Sequence, residues 1–225
     1  MIDLISGELQ ALKLIFKQSH IQKYRGNNWN KTLLILSVYL PLNLFFAISG
    51  WYGIIWLFPV IEEADQLIID SFGEAFLGAV ILAPLLEETM FRLFLKFSRS
   101  RFLVSVFFIS IFSFSISIYW GTVMMTLWLA ATILFVNTRI YVTVQFFWQR
   151  NRIIIFWIVV FIFGLIHLDN YDLTLIPWYL YIPTVLPQLF GAVFLGIGRL
   201  RFGFFWAILL HASFNLIAIL EMLYL

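Results

Sequence analysis

Long runs of apolar residues, separated by short charged clusters, organise this chain. Neither strand alternation nor the one-sided stripe of a soluble helix describes them; runs of about 20 apolar residues match a helix that crosses a bilayer. In order they predict seven crossings: 33–58 with Pro41 as a tolerated kink, 75–95, two within 102–138, 153–172, 175–198 broken by Pro177, Pro183 and Pro187, and 202 onward. Between Phe102 and Thr138 no residue is charged. That stretch exceeds one span of about 20 residues, so a tight helical hairpin is expected, turning near Trp120-Gly121. Residues 141–148 are expected in the membrane interface. Ahead of the first run, Ile2, Ile5, Leu9, Leu12 and Phe16 recur at spacings of three and four, the pattern of an amphipathic surface helix.

The charged clusters orient these crossings. With the N-terminus cytoplasmic, the basic loops at 96–101, 139–152 and 199–201 are cytoplasmic as well. The remaining basic residue, Arg92, lies within a crossing. The acidic loop with Glu62, Glu63, Asp65, Asp70 and Glu74 falls outside, as do Asp169 and Asp172. So complete a segregation of Lys and Arg is what the positive-inside rule requires of a correct frame.

Composition narrows the class further. The 225 residues are 63% hydrophobic and 12% charged, with a mean hydropathy of +0.97, outside the range of soluble domains. One all-α membrane domain over 1–225 is expected, with 1–31 as a cytoplasmic amphipathic segment and 75–225 as the core helices. The absence of cysteine excludes disulfides and thiolate metal sites. A net charge of +2 without a basic face argues against nucleic acid; the bilayer is the expected surrounding.

Against this apolar background a few polar residues stand at membrane depth, where each charge costs roughly 2.5–3.5 kcal/mol by insertion scales. Glu87, Glu88 and Arg92 lie in the second crossing, His167 in the fifth, and His211 and Asn215 in the last. Arg92 follows Glu88 by one turn, so the two can neutralise each other. Glu87 points about 100° away and has no local partner. Two adjacent buried carboxylates repel, so one must be protonated or drawn to another group. The histidines and the amide are the candidates. A lone intramembrane His or Asn is often interhelical glue worth about 1 kcal/mol, but the set as a whole favours a site.

Two hydrolytic chemistries fit that set. A carboxylate and an imidazole sharing a water can deprotonate it for attack on a carbonyl, while a second histidine and an asparagine donate to the oxyanion. Alternatively Glu87, His167 and His211 could hold Zn²⁺ with an open position for water. The helical HExxH spacing is absent.

Glu87-Glu88-x-x-x-Arg92, Phe163-x-x-x-His167 and His211-x-x-x-Asn215, in this order on separate crossings, resemble the three-motif signature of the CPBP intramembrane proteases. That family includes the CAAX prenyl endopeptidase and the bacterial Abi proteins linked to bacteriocin processing and self-immunity. The resemblance implies a multi-pass peptidase, in a bacterial plasma membrane by analogy with the Abi members, acting on a peptide or protein at the membrane. It implies that Glu87 and His167 activate water, that His211 and Asn215 form the oxyanion hole, and that Glu88, Arg92 and Phe163 support them. A glutamate mechanism without resident metal is the expectation. Two departures stand out: Leu93 where many relatives carry glycine, and the 102–138 hairpin, which looks like an insertion. Glycines 191, 196, 198 and 203 are typical of relatives. A non-proteolytic immunity or scaffolding protein is the alternative reading, and a proton-coupled transporter a weaker one, since no inverted repeat is visible.

Overall fold

The structure, a computed structural model, describes residues 2–15, 21–66 and 72–224. His20 and Asp70 lie outside the described residues. Among those described the fold is all-helical, the only extended pairing being a bridge between Asp65 and Tyr171. The main helices are α1 (Ile2–Ile15), α2 (Asn28–Leu57), α3 (residues 72–95), α4 (Arg99–Ile116), α5 (Ile118–Leu134), α6 (Thr138–Arg150), α7 (Arg152–Ile166), α8 (Leu186–Arg201) and α9 (Phe204–Tyr224).

Among the described residues, four helical stretches are long and apolar enough to cross a membrane: Asn28–Leu57, Arg99–Ile116, Arg152–Asn170 and Phe204–Leu223. Two bent pairs raise the number to six: α5 with α6, and Trp178–Thr184 with α8. The carboxylate helix α3 falls outside these because of its charge: it carries Glu74, Glu87, Glu88 and Arg92. Large apolar side chains on several helices, including Phe45, Leu77, Leu127, Ile154 and Phe205, point outward. Such an apolar exterior is what lipid contact requires of a membrane protein.

The termini of these helices have local causes. Asn27 starts α2 by accepting from the Asn30 amide at 2.8 Å. Ser98 and Ser117 cap α4 and α5 in the same way. The uncharged hairpin therefore turns at Ser117, in extended backbone, and not at Trp120-Gly121, which lies inside α5. Trp128 Nε1 donates to the Leu103 carbonyl at 3.0 Å and holds the two arms together. Between α5 and α6 the chain turns through 114°. At the end of α8, Gly203 takes φ +124°, a conformation that favours glycine, and α9 begins.

Among the described residues three helical stretches are widened to π geometry: Ile35–Tyr39, Phe76–Leu82 and Glu88–Arg92. The first two are explained by proline. Pro41 and Pro84 lack an amide hydrogen and clash with the carbonyl four residues back, so the turn ahead of each opens. The third contains no proline and coincides with the charged pair.

The bundle is centred on α8, which packs against α2, α7 and α9; α9 in turn packs on α3. Leu34, Ile35, Tyr39, Val185, Ile197 and Leu210 are fully enclosed between them. Gly196 lets α7 come close: a Cβ there would meet the Phe156 ring at 2.6 Å. The N-terminal helix faces the protein through Leu4, Ile5, Glu8 and Leu12, while Ile2 and Leu9 remain exposed.

Each end of the bundle has its own tie. At one end the α2–α3 loop meets the α7–α8 loop through Asp172 N to Ala64 O at 2.8 Å and Gln66 N to Asn170 O at 3.0 Å. At the other, Tyr24 N donates to Arg201 O at 2.9 Å. The first end carries acidic residues and the second basic ones, as the charge pattern requires.

Candidate functional site

The widened Glu88–Arg92 turn carries the polar centre. Its ladder closes through an i→i−5 bond, from the Leu93 amide to the Glu88 carbonyl. Side-chain hydroxyls occupy two nearby carbonyls: Thr89 Oγ1 donates to Leu85 O and the buried Ser105 Oγ of α4 to Thr89 O, both at 2.7 Å. π-turns inside helices are frequent at functional sites. Here the opened turn sits one step beyond Glu87 and sets how the two carboxylates diverge.

Glu88 and Arg92 form an ion pair at 3.1 Å, with side chains 0% and 1% exposed. The Arg92 guanidinium also lies 3.7 Å over the Phe163 ring, a cation–π contact strengthened by exclusion of water. Phe163 thus braces Arg92 and stacks against His167, with ring centres 4.6 Å apart. From α9, His211 Nδ1 approaches Glu88 Oε1 at 3.0 Å. Its other nitrogen, Nε2, faces Glu87 Oε2 at 3.8 Å. One imidazole therefore stands between the two carboxylates. Glu87 is the more exposed member, at 24%, but its Oε2, turned toward the ring, is buried and has no hydrogen-bond partner.

Both imidazole tautomers follow from the neighbours. A backbone carbonyl can only accept, so His167 Nδ1, 2.7 Å from Phe163 O, carries the hydrogen. Its Nε2 is left with a lone pair. His211 Nδ1 likewise donates to the Glu88 carboxylate. Glu87 and His211 both act electrostatically on His167.

Asn215 is one turn beyond His211 on α9, and its Nδ2 donates to Ala79 O on α3 at 2.7 Å. It ties the two site helices together two turns away from Glu87. Of the seven residues singled out in the sequence, the structure thus assembles Glu87, Glu88, Arg92, Phe163, His167 and His211, and places Asn215 at the adjoining helix contact. As for metal, among the described residues no group of three or more His, Cys, Asp or Glu side chains is placed to hold an ion. Both Nδ1 atoms are engaged, that of His167 on Phe163 O and that of His211 on Glu88.

Sequence reasoning passed over several buried polar groups. Arg199, read as a loop residue, is 4% exposed and donates to Arg92 O at 3.0 Å and Leu93 O at 3.1 Å. It adds charged donors to two carbonyls of the 3-10 turn that ends the carboxylate helix. Asn43 is enclosed on α2 with neither amide atom hydrogen-bonded. Its position in an apolar run was the one available signal. Comparison with protein-family models, with curated proteins and with solved structures gives no match.

Proposed function

We propose that this chain is an intramembrane endopeptidase of the CPBP type, hydrolysing a peptide bond of a membrane-associated peptide or protein. The observation that carries the reading is the juxtaposition of a partly exposed Glu87, whose buried Oε2 makes no hydrogen bond and faces His211 Nε2, with a His211 ring anchored by the sealed Glu88–Arg92 pair. A structural ion pair needs one carboxylate and leaves Glu87 without a purpose.

In the proposed reaction Glu87, helped by the lone pair of His167 Nε2, takes a proton from water. The hydroxide attacks the scissile carbonyl carbon, and the oxyanion that forms meets a donor at His211 Nε2. That nitrogen is a donor in the ring's doubly protonated form, with Nδ1 kept on Glu88. Asn215 spends one amide hydrogen on Ala79 O, two turns from Glu87; its second is the one the CPBP resemblance assigns to the oxyanion. Collapse breaks the C–N bond and returns the proton from Glu87 to the leaving amine. General acid–base assistance of this kind supplies about 10²–10⁴-fold.

The matching topology is seven crossings in a bacterial plasma membrane, with a cytoplasmic N-terminus and α1 lying along the membrane surface. Its supports are the segregation of charge between the two ends and the capped turn at Ser117, which divides the uncharged stretch into two helices. The second reading, a non-proteolytic immunity or scaffolding protein, is favoured by one observation: the Asn215–Ala79 bond is also plain interhelical glue. Reconstituting the purified chain in proteoliposomes with a mixture of membrane peptides decides between them. Hydrolysis that falls at least about 100-fold in both Glu87→Gln and His167→Ala supports the peptidase. Cleavage retained in both variants, or none by the wild type, favours the second reading.

A further inference from the structure

The basic end of the bundle holds a concentration of charge that the proposed reaction does not use. Three chain segments are pinned together there. Arg199 on α8 bonds the carbonyls of Arg92 and Leu93 at the end of α3. Arg101 Nη1, at the start of α4, donates to Lys96 O at 3.1 Å. Arg201 Nη1 donates to Gln22 O at 3.0 Å, and Tyr24 N returns a bond to Arg201 O. This arrangement brings Lys23, Arg101 and Arg199 within electrostatic range of Lys96, and Arg101 within range of Arg199.

The nearby carboxylates are already engaged. Glu8 is taken by Arg201 and by Tyr39 Oη. Glu88 is taken by Arg92 and His211. Two other cations at this end have their own contacts: Lys31 bonds Asn28 Oδ1 and faces the Trp206 ring, and Arg99 lies over Tyr141. Lys96 differs. It is half-buried, is repelled by Arg199, Lys23 and Arg101, and no carboxylate acts on it; burial first, and then these cations, push it down to about 8. Among the described residues its ammonium makes no ion pair.

We propose that Lys23, Lys96, Arg101 and Arg199 form a binding site for a phosphate-bearing anion, supplied either by an anionic phospholipid headgroup or by free phosphate. An external anion is the counter-charge this cluster lacks. Basic pockets between membrane helices at the headgroup level take such ligands. Arg101 keeps guanidinium donors beyond the one bonded to Lys96 O, in the planar fork that fits phosphate, and Lys96 adds a point charge beside it. Arg199 joins this site to the end of the Glu88–Arg92 turn, so an anion bound there adjoins the carboxylate helix.

The test is thermal unfolding of the purified full chain in neutral detergent, a readout independent of any peptide hydrolysis. Short-chain phosphatidylglycerol, phosphatidylcholine at the same mole fraction, and inorganic phosphate at matched ionic strength are added separately. A ligand of the folded state raises the midpoint by mass action. The expected result is a rise with phosphatidylglycerol and none with phosphatidylcholine. The rise should fall by about half or more in Lys96→Gln and in the exposed variant Arg101→Gln, yet persist in Arg139→Gln, which removes an equal charge from another loop. If inorganic phosphate reproduces the rise with the same dependence, the ligand is free phosphate. If Lys96→Gln does not fold, Arg101→Gln against Arg139→Gln carries the comparison. Equal rises with both lipids, or rises indifferent to Lys96 and Arg101, overturn the proposal.

Discussion

His211 Nδ1 lies 3.0 Å from Glu88 Oε1, and through that contact α9 is locked to the most deeply buried charge pair of α3. The contact also resolves the repulsion between adjacent carboxylates. Glu88 is held by Arg92 and His211, while Glu87 faces the opposite nitrogen of the same ring.

Breaking the pair from one side is costly. Glu88→Leu or Arg92→Leu alone leaves an uncompensated buried charge and destabilises the fold by about 3–5 kcal/mol. The double variant recovers most of that loss. Unfolding midpoints of the three proteins in detergent check this; strictly additive losses would show that the two side chains are independent.

Arg199 is worth more than its loop position suggests. Arg199→Ala leaves the carbonyls of Arg92 and Leu93 without their donors and should cost roughly 1.5–3 kcal/mol. Lysine at the same position restores only part, because it cannot offer two fixed donors to two carbonyls. A stability equal to wild type in Arg199→Ala would exclude the capping role.

The α7–α8 contact is sensitive to one methyl group. Gly196→Ala places a Cβ 2.6 Å from the Phe156 ring and should cost about 1–3 kcal/mol by overpacking. Gly53→Ala, with nothing within 4 Å of the added atom, should be neutral or slightly stabilising. Their relative midpoints in one detergent give the answer.

Lys96 predicts a pH slope. Its value in the fold, about 8, is below the ordinary 10.5, so the unfolded chain binds more protons between these limits. Stability therefore rises with pH across that window and shows no such gain below about 8. Lys96→Met removes this component of the slope when measured without added anion. An unchanged slope would mean that Lys96 titrates normally.

Much of this was written in the order of residues. The long apolar runs become helices, the run 175–198 is interrupted at Val185 between Pro183 and Pro187, and the Glu88–Arg92 spacing closes an ion pair. Other features depended on contacts that leave no spacing signature. The hairpin turns at Ser117 because that hydroxyl caps α5, whereas the Trp120-Gly121 pair, read as a turn, lies within the helix. Asn215 finds a backbone carbonyl, Ala79 O, which no side-chain pattern announces. Arg199 reads as an orienting loop charge until the end of α3 is seen beside it. Glu8 turns inward toward Arg201 because the tertiary fold brings the two ends together, and Ile5 and Leu12 of the apolar stripe pack on the protein beside it while Ile2 and Leu9 stay exposed.

Glu87 is the residue on which the functional account rests, and its removal as a base is the most direct test. New protein N-termini are mapped by mass spectrometry in host membranes carrying equal folded amounts of wild type or Glu87→Gln. The account predicts termini present with wild type and lost with the variant, and those termini name the substrate. Identical maps, with the variant still functional in its host, would contradict it.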